Sequence, residues 1–303
     1  MNSRLADFAE RVKTLNPLHQ NFLNEALSKL PVPCREELLK YIDYCMRSGL
    51  DLDYLAGAYN LIVTDMQVEQ IFFRRNKRYR HSRFSEVANA VYYDDGYMRR
   101  YMHGLALTTF LWPNHLAMRD FFVRTFPPLL TGSYLEVGPG HGYYFLKASQ
   151  LGRFDRMIGV DISASSVELT RGLLRHFGLQ HDRATIIETD FANFEDDATF
   201  SCVVMGEVIE HVEQPEVFLS KVAELADEKT HVYVTTAINS PAIDHIYLFR
   251  SSEEVERLAG KCGLRVVEKQ CLPHAGMSLD EAYQRAMPVN AAYVMRKAAT
   301  VRG

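Results

Sequence analysis

The 303-residue sequence predicts an α/β fold, a doubly wound seven-stranded core behind an N-terminal all-helical domain. Up to about residue 130, apolar residues recur at helical spacing. From residue 133, short β-rich runs alternate with helical stretches, as in a parallel sheet with crossover helices. A glycine-rich turn joins the first such run to a helix.

In the first segment, Phe22, Leu23, Ala26, Leu27 and Leu30 mark one helix, and Leu38, Leu39, Ile42, Cys45 and Met46 the next. The turn around Pro31–Pro33 separates them, and Asp51 is an expected N-cap for a third. Residues 97–111 form a further amphipathic run, halted by Pro113. In the second segment the expected strands are 134–137, 157–160, 184–188, 200–205 and 231–235, then 264–269 and 292–296. Helices are expected near 143–150, 164–176, 215–227 and 252–261. The last two strands lie closer together than a full β-α-β unit needs, with a short helix over 278–286 between them. The expected domains are therefore 1–114, all-helical, and 115–303, α/β.

Composition narrows the function classes. With 47% hydrophobic and 24% charged residues, the chain reads as an ordinary globular protein. A net charge of −4 argues against binding a polyanion through bulk charge. The five cysteines (Cys34, Cys45, Cys202, Cys262, Cys271) are odd in number and hold no C-x-x-C pair. They fit a reducing cytoplasm rather than a disulfide framework or a thiolate zinc site. No run approaches the roughly 20 apolar residues of a membrane span.

The glycine turn, Gly138-Pro139-Gly140-His141-Gly142, follows Tyr134-Leu135-Glu136-Val137 directly. Its glycines let backbone amides approach a ligand, and the helix behind it offers unsatisfied N–H donors. Tyr143 stands where the dinucleotide fingerprint needs its third glycine, which argues against a nicotinamide oxidoreductase. The pattern E-x-G-x-G-x-G instead resembles motif I of class I S-adenosylmethionine-dependent methyltransferases. Further matches follow in order: Asp161-Ile162 after the second strand, Asp190-Phe191 after the third, and Gly206-Glu207-Val208-Ile209-Glu210-His211 after the fourth. The resemblance covers residues 133–297. It implies a Rossmann-like methyltransferase core with S-adenosylmethionine held by Glu136, Gly138, Gly140, Asp161, Ile162, Asp190, Phe191 and Gly206.

Glu207, Glu210 and His211 fall at i, i+3 and i+4, and would share one face if this segment begins a helix. Asp244-His245 follows the fifth strand. This E-x-x-E-H … D-H order is similar to metal-dependent O-methyltransferases, which implies that Glu207, Glu210, His211 and His245 hold a divalent ion (Mg, Mn, Fe or Zn). Without a metal, His211 is the candidate general base. The same residues also allow a bland reading, in which glutamates in a first helical turn satisfy its dipole and the histidines pack.

Tyr97–His115, rich in aromatics and imidazole, is a candidate lid over an organic substrate. The run 74–83 carries six Lys or Arg in ten residues and reads as a solvated face more readily than as a nucleic-acid contact. The expectation is O-methylation of a small-molecule metabolite, away from nucleic acid and membrane, with a homodimer left open. C- or N-methylation, RNA ribose 2′-O-methylation and a cofactor-binding interaction protein are the alternatives.

Overall fold

The computed structural model describes residues 3–179 and 183–299. The helical segment is α1 (Ser3–Leu15), α2 (Gln20–Lys29), α3 (Val32–Arg47), α4 (Leu52–Asn76), the short α5 (Phe84–Val87), α6 (Asp95–Leu111) and α7 (Pro113–Thr125). Asp51 caps α4 by accepting from Tyr54 N, and Pro31 precedes α3. The expected division at 114/115 falls in the first turn of α7.

Seven strands follow: β1 (Thr131–Val137), β2 (Arg153–Asp161), β3 (Ala184–Glu188), β4 (Phe200–Gly206), β5 (Ala226–Ile238), β6 (Leu264–Pro273) and β7 (Val289–Lys297). Between them run α8 (Tyr143–Leu151), α9 (Ala164–His176), α10 (Pro215–Glu224), α11 (Ser252–Lys261) and α12 (Leu279–Gln284). The sheet order is β3-β2-β1-β4-β5-β7-β6. The first five strands are parallel, whereas β7 runs antiparallel to both β5 and β6. The short link through α12 cannot return the chain to the far end of the sheet, so the last pair closes as an antiparallel ladder.

Two cores flank the sheet. Tyr134, Phe145, Phe121, Phe122 and Tyr233 belong to one, which runs on into α1–α4 and α6. Val203, Val234, Phe191, Leu219 and Val255 belong to the other, with α10 and α11. The helical segment therefore shares a continuous core with one face of the sheet. Helix α6 departs from the amphipathic expectation: from Met98 on nearly every side chain is buried. It is packed on α4, α7 and α9 at once, and Gly104 is where it touches α4, since a Cβ there would meet Ala58 O at 2.4 Å. A third cluster (Ile62, Val87, Val91, Met98, Tyr101, Met102, Ile246) joins the helical segment to the loop after β5. Among the described residues no helix is long and apolar enough to cross a membrane.

Candidate active site

The order of strands reverses between β1 and β4, and in open parallel sheets that switch point leaves a crevice at the carboxyl edge. Here the crevice is a cavity of about 870 Å³. It is floored by the ends of β1, β2, β4 and β5 and roofed by α4, α6 and the start of α7. All eight residues expected at the cofactor line it: Glu136, Gly138, Gly140, Asp161, Ile162, Asp190, Phe191 and Gly206.

The turn after β1 is shaped by left-handed backbone at Gly138 (φ 65°) and Gly142 (φ 79°). A Cβ at Gly142 would sit 3.1 Å from the backbone of Thr170, so the turn also needs glycine for space. Asp161 is buried, and one carboxylate oxygen accepts from Gly140 N (3.0 Å) while the other accepts from Ser163 N (2.9 Å). Burial raises its carboxyl to about 6 in spite of those donors. Burial likewise pushes Glu136 up to about 8, with Tyr134 hydroxyl donating to it. Two acids with this much desolvation and few partners are suited to a cationic or hydroxyl-bearing ligand.

The second group lies where β4 and β5 end. Glu207 to Glu213 do not form the expected helix, since the segment is a run of turns before α10 begins at Pro215. Glu207 takes a left-handed φ of 52°, and its N–H donates to Thr235. The Glu210 carbonyl accepts from both Ile246 N and Tyr247 N (2.9 Å each), which ties the turn to the loop after β5 and replaces helical bonding. That stitch brings distant residues together: one ligand atom each from Glu210, His211 and His245 lies within 4.8 Å of the others. Glu207 faces the same cavity outside this tight trio.

The hydrogen bonds behind these groups fix their orientation. His211 Nδ1 lies 3.1 Å from the Asp244 carbonyl and 3.3 Å from its carboxylate. His245 Nδ1 lies 2.6 Å from the Ser240 carbonyl. Each histidine is thereby left with Nε2 as its free nitrogen. The two rings meet edge to face at 4.7 Å. Burial pushes the His245 imidazolium down to about 3, so its ring is neutral at any ordinary pH. Glu210 accepts from Thr236 hydroxyl (2.8 Å) and Ala237 N (3.2 Å), and is hydrogen-bonded to Glu207. Burial, then the neighbouring Glu207 charge, raises Glu210 well above the carboxylate range, and burial raises Glu207 too. Glu207 Oε1 is buried without a hydrogen-bond partner.

Sequence reasoning gave Asp244 no role of its own, yet it is buried and accepts from Tyr92 (3.2 Å) and Tyr101 (3.1 Å) hydroxyls, besides facing His211. Tyr92 comes from a π-helical turn whose local sequence carries no chemical motif. Of the candidate lid, Met98, Tyr101, Met102, Trp112, Asn114 and His115 line the cavity. Arg99 instead pairs with Asp95 and Glu168, and His103 is buried against Tyr41.

A protein-family model described as a methyltransferase domain matches residues 113–269, just over half of the chain. The chain belongs to this family and is a class I S-adenosylmethionine-dependent methyltransferase, an enzyme whose cofactor is S-adenosylmethionine. Solved structures share the fold at low identity. The mitomycin 7-O-methyltransferase MmcR is 16% identical with a TM-score of 0.55, over 82% of this chain and 71% of that one. A putative methyltransferase solved with the Haloferax volcanii Trm112 activator is 15% identical at 0.53, over 69% and 97%. The O-MT segment of StiE is 15% identical at 0.50, over 65% and 78%. No curated protein matches the sequence.

Proposed function

We propose that this enzyme methylates an oxygen of a small-molecule acceptor, assisted by a divalent cation held by Glu210, His211 and His245 with Glu207 beside them. The observation that carries the proposal is the backing of the two histidines. Both present Nε2 because Nδ1 is taken by a backbone carbonyl, the outer-shell arrangement typical of metal-binding imidazoles. Two imidazoles and one carboxylate within 4.8 Å, with room on the cavity side, suit a divalent ion with open positions. The orphaned Glu207 Oε1 also fits, and a cation would offset the Glu207 charge that raises Glu210.

Glu136, Gly138, Gly140, Asp161, Ile162, Asp190, Phe191 and Gly206 are read as the residues that hold the cofactor. Gly140 and the two acids Glu136 and Asp161 face its ribose and amino-acid portions, while Asp190 and Phe191 face its base. When bound, S-adenosylmethionine supplies a sulfonium methyl group and leaves as S-adenosylhomocysteine. A divalent ion at the trio supplies a Lewis acid that lowers the pKa of an acceptor hydroxyl. The chain's own part is to orient the acceptor oxygen and to keep water out with Trp112, Met102 and Tyr144.

A second reading is favoured by one observation, the contact of His211 with Asp244. A carboxylate behind Nδ1 makes His211 Nε2 a proton acceptor, and two tyrosines hold that carboxylate in place. The small-molecule acceptor, in turn, is supported by the enclosed cavity and by the fate of the basic run. Arg80 pairs with Glu69, and Arg78 donates to the carbonyls of Tyr79 and Arg80.

The test is a screen of vicinal diols and hydroxy-carbonyl compounds, reading release of S-adenosylhomocysteine with and without a chelator. Release that chelation suppresses supports metal assistance. Release that chelation leaves unchanged favours His211 as base, and release confined to amine or carbon acceptors screened in parallel rejects O-methylation.

A further inference from the structure

The cavity extends beyond the groups used above, along one face of α4. Ile62, Val63, Met66, Gln67, Gln70 and Arg74 line it, a stripe that covers about 18 Å of helix at 1.5 Å per residue. The first three are apolar, and Phe22 and Trp112 add aromatic surface. The last two polar residues are different in kind. Gln70 Nε2 is buried with no hydrogen-bond partner, although it carries two N–H donors. A desolvated donor left unmet is a cost that a ligand oxygen would recover. Arg74, one helical turn on, lines the same cavity and pairs with no acid among the described residues. Arg80 in the same basic run differs, since it pairs with Glu69.

Four acids of the cavity lining are already engaged. Asp161 accepts from Gly140 and Ser163 N–H, Asp244 from two tyrosines, Glu213 from Phe84 N and Asp190 from Ala192 N. From this arrangement we infer that Gln70 and Arg74 form an anion seat, and that the acceptor is an apolar molecule bearing a carboxylate. The planar guanidinium takes two carboxylate oxygens, and the Gln70 amide donates to one of them from the i−4 position on the same helix face. The apolar body lies along Met66, Val63 and Trp112. This deepens the small-molecule reading proposed above and rests on it, by naming the class of acceptor.

The experiment uses two probes of one skeleton, the anionic 1-anilinonaphthalene-8-sulfonate and the neutral N-phenyl-1-naphthylamine. Trp112 is the only tryptophan and lines the cavity, so energy transfer from it is strongest for a probe seated there. The wild-type protein is expected to bind the anionic probe more tightly than the neutral one. Arg74→Ala and Gln70→Leu are each expected to weaken the anionic probe, Arg74→Ala by about tenfold or more, and to leave the neutral probe unchanged. Arg75→Ala, at an exposed residue outside the cavity lining, should change neither. Equal affinity for both probes in the wild type, an Arg74→Ala effect shared by both, or failure of the anionic probe to bind overturns the anion seat. Metal binding measured on the same samples keeps the two proposals apart, because its loss would reject metal assistance and leave the probe result standing.

Discussion

At the scale of single residues, the chemistry concentrates where burial and charge conflict. Asp161 and Glu136 are held above the carboxylate range by desolvation, to about 6 and about 8. A carboxyl with a raised pKa in the folded state contributes stability that is complete below its unfolded pKa. That contribution is lost as pH rises through the folded value. The part of the cofactor-free protein's stability that these two acids contribute should therefore fall as pH rises from about 4 to about 8. Asp161→Asn should flatten the lower part of that decline and Glu136→Gln the upper part. Thermal unfolding of the wild type and both variants across this range checks this, and variant profiles parallel to the wild type would contradict the assignment. For cofactor affinity, Asp161→Asn should cost about 10- to 100-fold in calorimetric titration, the worth of a hydrogen bond to a charged acceptor. Retained affinity would remove Asp161 from the proposed cofactor site.

At the scale of elements, the turn after β1 carries the most specific expectation. Gly142→Ala would place a side chain in left-handed backbone and against Thr170, so it should destabilise the protein by about 2 kcal/mol in denaturant titration. This turn was legible in the sequence because glycines at fixed spacing after an apolar run have few other uses. The strand Ala184–Glu188 was legible to the residue for a similar reason, a β-branched run with turn residues after it. Other elements were not. The Glu207–Glu213 segment reads as helix from its spacing, yet Glu207 is left-handed and the Glu210 carbonyl is claimed by Ile246 and Tyr247, partners distant in sequence. The antiparallel β7 was hinted at only by the short spacing after β6. The burial of α6 on several sides depends on three neighbouring helices that its own pattern does not encode. Asp244 was visible as a letter in a motif, but its tyrosine partners on the π-helical turn and α6 were not.

At the scale of the whole molecule, one acid adds a polar tie between the helical segment and the methyltransferase core to the apolar core they share. Glu37 on α3 accepts from Arg119 (2.8 Å), Tyr143 (2.5 Å) and Lys147 (2.7 Å), on α7 and α8. Burial pushes its carboxyl up, but the bonds from Lys147, Tyr143 and Arg119 outweigh it and hold the group below the usual range. Glu37→Gln should cost about 2 kcal/mol at neutral pH, because the buried Arg119 and the part-buried Lys147 lose the carboxylate they share and Arg119 keeps only the exposed Asp120 as an acid partner. The penalty should shrink as pH falls through the depressed pKa of Glu37, where the wild type loses the same charge. The central claim concerns the other junction, where the turn after β4 meets the loop after β5. It is tested most directly by calorimetric titration of chelator-treated protein with Mn²⁺. The account predicts one site in the wild type, lost in His245→Ala and Glu210→Gln while S-adenosylmethionine still binds. No metal binding by the wild type, or binding indifferent to both substitutions, would contradict it.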